Sequence, residues 1–201
     1  MTGSLPFTIV FAAAAAFSLY ELARPAARVR SYLADREAHA AHVLMNASMA
    51  AMAAPFWGLA AERVTFWVLV GGTGVLAARF AAALARGRAA EAGGSAYHAL
   101  AMAAMIYALL LMPAAGAMDP SMAGDMAGHA MHHAAPQRTP VAAILAAIFA
   151  IDAAATVVFA FAMPGRLIDP DAPDYAAQRT ELRRSAIPHV IMDAGMIAML
   201  V

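Results

Sequence analysis

A chain of 201 residues in which 63% are hydrophobic and only 13% charged, with a mean hydropathy of +0.67, is not a water-soluble globule. Its formal net charge is zero and it has no cysteine, which argues against a basic nucleic-acid surface and excludes thiolate metal sites and disulfides. The expected fold class is all-α, a polytopic membrane helical bundle with six transmembrane helices, each stretch of about 20 residues being long enough to cross a core of about 30 Å.

The first predicted span covers residues 4–23. No Lys or Arg precedes it and Arg24 lies on its far side, so it reads as a retained span and not as a secretory signal. Glu21, near its end, is expected to pair or snorkel. Arg24, Arg28, Arg30 and Arg36 fill the connection to span two, residues 39–60. That span carries His42, Met45, Met49 and Met52, a spacing that at roughly 100° per residue keeps all four side chains on one helical face. Phe56, Trp57, Phe66 and Trp67 flank the short turn into span three, residues 64–85, as interfacial aromatic anchors do. The run GGTGVLAA at 71–78 permits close helix approach, and Arg79 is again expected to pair or snorkel.

Span four, residues 96–117, carries a nearly equivalent face in His98, Met102, Met105 and Met112. A Gly-, Asp- and Ala-rich segment over 118–138 follows, reading MDPSMAGDMAGHAMHH at its start and expected to be an extracytoplasmic loop. Its Met118, Met122, Met126, His129, Met131, His132 and His133 have no core to fill and form a candidate metal-capture tract. Span five, residues 140–163, holds Asp152 near its middle, where an ionisable group costs at least about 2.5 kcal/mol on insertion scales and marks a functional candidate. Residues 165–185 read as a polar cytoplasmic loop with a short surface helix from Tyr175. Span six, residues 186–201, repeats the phrase of span two as His189, Met192, Met196 and Met199, with Asp193 standing where Asn46 stands. Pro55, Pro113, Pro164 and Pro188 are placed at or near span ends, where they cost little.

The chain has no lysine, so its arginines alone report orientation. Eleven of the thirteen fall at or in the connections after spans one, three and five; Arg63 and Arg138 are the exceptions. The expectation is one multi-pass domain over 1–201 in the inner (plasma) membrane, basic loops in the cytoplasm and both termini outside. Spans two, four and six then run outward, each with His near its cytoplasmic end and methionines beyond. The chain reads as three helical hairpins in a weak parallel repeat, an arrangement similar in kind to transporter repeats.

Three helices aiming one imidazole and a row of thioethers inward suit a soft cation such as Cu(I). The candidate ligands are His42, Met45, Met49, Met52, His98, Met102, Met105, His189, Met192, Met196 and Met199, with Asp152 and Asp193 as counter-charge or proton sites. Methionine is also an adaptable packing residue, and in an alanine-rich bundle the ladders can simply fill gaps. Two other functions stay open: a haem protein with His/Met axial ligands, and a non-catalytic subunit or assembly factor of a membrane complex. Neither a nucleotide-binding loop nor a hydrolytic triad is legible, so no enzyme activity is expected; the expected partners are a metal ion and the lipid bilayer, with a homo-oligomer or complex partner left open and no nucleic acid.

Six alanine-rich spans with HVLMNASMAAMA, YHALAMAAM and HVIMDAGMIAML resemble the actinobacterial DUF5134 membrane proteins over most of the chain. The resemblance implies a membrane helical fold and no particular activity. A looser likeness, to membrane copper-resistance proteins of the CopD type, rests on the multi-span plan and the Met/His content and on no diagnostic motif.

Overall fold

The computed structural model describes residues 4–24, 35–55, 57–111 and 139–201. Among them are six α-helices and no strand: α1 (Leu5–Ala23), α2 (Arg36–Ala53), α3 (Leu59–Ala85), α4 (Ala89–Leu111), α5 (Pro140–Val157) and α6 (Tyr175–Leu200). The helix ends follow local chemistry. The Asp35 carboxylate accepts from the Ala38 N–H at 2.7 Å to start α2. Thr139 caps α5 through the Ala142 N–H at 3.1 Å, with Pro140 opening the helix. Between α3 and α4, Gly87 takes φ +70, and the N–H groups of Gly87 and Arg88 donate to the Leu84 and Ala83 carbonyls, a Schellman closure that favours glycine there.

Several boundaries differ from the sequence expectation, α4 among them, which begins at Ala89, seven residues before the expected span. Helix α2 stops at Ala53 instead of running to 60, because Pro55 holds Ala54 in an extended conformation. Helix α3 starts at Leu59, five residues before the expected span. The surface helix expected from Tyr175 and the last span are one continuous helix, so Pro188 lies inside α6 and not at a span end. Burial of Pro188 against the bundle offsets the hydrogen bond that its missing N–H forfeits.

At the end of α5 the helix widens into a π-helical turn, Val158–Ala162. Arg183 of α6 donates to the Ala160 and Phe161 carbonyls at 3.3 and 3.1 Å, satisfying groups at the helix end, where Pro164 offers no N–H to the Ala160 carbonyl.

Helices pair in chain order: α1 lies against α2, α3 against α4 and α5 against α6. Helix α6 also touches α1, α2 and α4, and α2 touches α3 and α4. Four helices are long and apolar enough to cross a membrane: α1, α3, α4 from Glu91, and α5 extended to Ala162. They expose large apolar side chains such as Ile9, Val64, Trp67, Val75, Ile144 and Ile151. Helices α2 and α6 are less apolar: they begin with charged residues, Arg36 and Glu37 on α2 and Arg179, Glu181, Arg183 and Arg184 on α6, and they carry His39, His42, Asn46, Ser48, Ser185, His189 and Asp193, all buried. Apolar surface outside and polar groups inside is the arrangement of a membrane protein, for which lipid replaces water as the outer solvent.

One polar clasp joins three helices at the periphery. Glu37 of α2 accepts hydrogen bonds from Arg79 of α3 and Ser95 of α4, and Ser95 is buried. Arg79 therefore pairs, as does Glu21, which accepts from Arg24 at 3.2 Å and lies 3.9 Å from Arg184. Glu37→Ala is expected to cost about 1–2 kcal/mol in an unfolding titration in mixed micelles, below the range for a fully buried charged bond because Arg79 is largely exposed. Unchanged stability would reduce the clasp to an incidental contact.

Candidate metal centre

The imidazoles of His42, His98 and His189 converge from α2, α4 and α6. All three are buried, and each offers a ring nitrogen within 4.8 Å of the others. The rings meet edge to face, with centroids 5.3 Å apart for His42 and His98, 5.0 Å for His42 and His189, and 6.4 Å for His98 and His189. His42 Nε2 and His189 Nδ1 are 2.8 Å apart, a hydrogen bond in which one nitrogen carries the proton.

The tautomers follow from the neighbours. His189 Nε2 lies 2.6 Å from Asp152 Oδ2 of α5 and 3.5 Å from Asp193 Oδ2 on its own helix. With Asp152 ionised, His189 donates from Nε2–H, its Nδ1 accepts from His42 Nε2–H, and His42 Nδ1 keeps a lone pair. That nitrogen is buried and has no hydrogen-bond partner. His98 likewise has at least one ring nitrogen without a partner. Unsatisfied buried nitrogens are costly in a low-dielectric interior, and two on adjacent imidazoles point to a ligand.

An ion joining all three rings would change the local geometry. At a bond length of about 2.0 Å, two nitrogens on a two- or three-coordinate ion stand roughly 3.5–4 Å apart. The 2.8 Å contact between His42 and His189 is shorter. Loading through these two nitrogens thus replaces their hydrogen bond and parts the rings by about 1 Å.

The methionines form the apolar wall. Met45, Met49, Met52, Met102, Met105, Met192 and Met196 are buried in one core with Phe11, Leu69 and Phe149, and Met199 packs against it partly exposed. Some of this is gap filling. A Cβ added to Gly195 would come 2.8 Å from Met49 Sδ, and one added to Gly72 would come 2.7 Å from Met102 Sδ. These thioethers occupy the room that two glycines leave. Contacts also fix the relative direction of two helices. His42 meets His189, and seven residues on Met49 meets Gly195, six residues beyond His189. Helices α2 and α6 therefore run parallel with matched register.

Asp193, beside the ligand face of span six, and Asp152, expected near the middle of span five, both reach His189, so the constellation draws on four helices and not only on three histidines. Tyr97 of α4 belongs to it and was not singled out from sequence. Its hydroxyl donates to Asp193 Oδ1 at 2.7 Å, and its ring lies 5.4 Å from that of His189 and 5.7 Å from that of His98. The available signal was a tyrosine directly before a histidine at the start of an apolar span. Met112 and the capture tract of Met118, Met122, Met126, His129, Met131, His132 and His133 lie outside the described residues.

A family model described as "Domain of unknown function (DUF5134)" matches residues 34–201, which take in α2 to α6. No curated protein and no solved structure matches the chain, and the likeness to CopD-type proteins is not shown.

Proposed function

The chain belongs to the DUF5134 family, and from that premise we propose that it is a membrane protein that binds Cu(I) at the His42, His98 and His189 cluster and handles copper by transport, storage or delivery. The observation that carries this reading is the convergence of three buried imidazoles, from three separate helices, with ligand atoms within 4.8 Å of one another. Neutral imidazoles set in a methionine wall suit a soft monovalent ion better than a hard divalent one. The carboxylate of Asp152 supports His189 as carboxylates commonly support metal-ligating histidines, fixing ring orientation and tautomer. It also supplies negative charge near a cation held in the membrane.

In this reading all six helices cross the membrane, α2 and α6 being shielded by the four more apolar ones. The three helical hairpins form a weak parallel repeat, the basic loops face the cytoplasm and both termini lie outside. The tract at 118–133 gathers copper on the outer side, and the thioethers of α2, α4 and α6 line its approach to the histidines. The rings touch one another and leave less room for a macrocycle than for an ion, which favours copper over haem.

Metal analysis of protein purified anaerobically in detergent tests the proposal. About one Cu(I) per chain is expected at the three-histidine site under reducing conditions, in addition to any held by the 118–133 tract. Joint replacement of His42, His98 and His189 by Ala should abolish or sharply reduce the binding, whereas removal of residues 118–133 should spare the core site. A wild-type protein that takes up no monovalent copper refutes the reading, and a Soret band in the purified protein transfers it to haem.

A further inference from the structure

His189 faces two ligand clusters at once. Its Nδ1 side meets His42 and His98; its Nε2 side meets Asp152 and Asp193, and the ligand atoms of Asp152, His189 and Asp193 also lie within 4.8 Å of one another. We infer that this acidic corner is a second metal position, for a first-row divalent cation such as Zn(II), and that it excludes Cu(I) from the three-histidine position because both need the same imidazole. The exclusion step rests on the copper reading above; the acidic position does not.

Three observations support a divalent ion there. Asp193 is fully buried, and its Oδ2, aimed toward His189 Nε2, has no hydrogen-bond partner. A buried carboxylate oxygen left so in a membrane interior calls for a proton or a cation. Tyr97 holds the other oxygen, Oδ1, so the carboxylate is turned with Oδ2 toward the corner, as outer groups orient metal-binding carboxylates. The donor set, two carboxylates and one imidazole, is harder than the three-histidine set and cancels the charge of a divalent ion in full. Asp152, on the rim, is the one member with appreciable exposure, its side chain 20% accessible.

Exclusion follows from the imidazole. A neutral ring has one proton and one lone pair in its plane. When Nε2–H donates to Asp152, the lone pair of Nδ1 faces the histidines and serves copper. When the proton sits on Nδ1 and donates to His42 Nε2, the lone pair of Nε2 faces the two carboxylates and serves the divalent ion. No bond to carbon or change of oxidation state is involved; His189 and His42 both change tautomer, each moving its proton from Nε2 to Nδ1, with no net gain or loss of protons.

The full chain in detergent, titrated separately and jointly with Zn(II) and with Cu(I) under anaerobic reducing conditions, tests this. Expected are one Zn(II) per chain, and an apparent Cu(I) affinity at least tenfold weaker when Zn(II) is saturating. Asp193→Asn should lose Zn(II) and with it the antagonism, while still taking Cu(I); Asp152→Asn, at the rim and milder for folding, should weaken Zn(II) in the same direction. Substituting Co(II) for Zn(II) in the unmutated protein gives a spectroscopic readout of oxygen and nitrogen ligation that needs no variant. The inference is overturned if no divalent ion binds, if Zn(II) binding survives both substitutions, or if the two ions bind together without mutual effect. A chain that takes Zn(II) but not Cu(I) keeps the acidic position and loses the copper reading along with the exclusion; a chain that takes Cu(I) but not Zn(II) does the reverse.

Discussion

His189→Ala is expected to be the most damaging single replacement in the bundle interior, lowering stability by about 2–4 kcal/mol, the scale for losing two buried hydrogen bonds of which one is to a charged group. His189 is fully buried and joins His42 at 2.8 Å to Asp152 at 2.6 Å. Its loss leaves His42 Nε2 without its acceptor, takes one donor from Asp152 and leaves Asp193 beside an empty volume. No water from bulk can restore these bonds cheaply in a membrane interior. The same change removes a ligand from both proposed metal positions, so binding of Cu(I) should fall by about 100-fold or more, at or beyond the upper end of the effect of losing a merely supporting group. His98→Ala provides the contrast: it takes one ligand from the copper position and none from the acidic corner, so Zn(II) uptake should persist. Denaturation in mixed micelles alongside metal titration gives both quantities. A His189→Ala protein as stable as the wild type would mean that the His42–His189–Asp152 contacts do not organise the bundle.

Gly195→Val should have the next largest effect, a loss of about 2–3 kcal/mol from overpacking. An added Cβ there stands 2.6 Å from Phe11 Cζ and 2.8 Å from Met49 Sδ. The methionine can swing aside, but Phe11 is a buried, planar ring of α1 and yields only if α1 moves from α6. A β-branched residue adds a second methyl at the same contact and has little rotamer freedom on a helix. Gly72→Ala is the matched control. Its Cβ also falls within 3 Å of other atoms, but these are the tips of Met102 and Leu44, both flexible. Relief of the glycine penalty in a helix, about 1 kcal/mol, offsets the small adjustment, and the net change should stay within about 1 kcal/mol. If the two substitutions cost the same, the close approach of α1 to α6 through Phe11 is not what the glycine secures.

These two sites mark where local pattern stops being informative. The methionine ladders read equally well as ligands and as filler, because spacing fixes a side chain's angle around its own helix and nothing about the atoms opposite. Contact with Gly195 and Gly72 makes Met49 and Met102 fillers at least in part. The same ambiguity hid Tyr97: on α4 alone it is one more aromatic residue, and it joins the centre only through Asp193 of α6.

Hydropathy and periodicity are local properties, so the sequence by itself determined the all-helical membrane class, the inward faces of α2, α4 and α6, and the suspicion attached to Asp152. Several boundaries moved for equally local reasons, Pro55 ending α2 early, whereas burial in the bundle carries α6 through Pro188. Tertiary structure decided what no single helix encodes: that α2 and α6 run parallel in matched register, that Asp152 of α5 meets the far nitrogen of His189, and that Tyr97 turns Asp193 toward it. The physical reason is that a helix sets the direction of its side chains, while the axial position and partner of that helix are set by packing against the others. A histidine with two ring nitrogens acquires two different roles only when that packing brings a different neighbour to each.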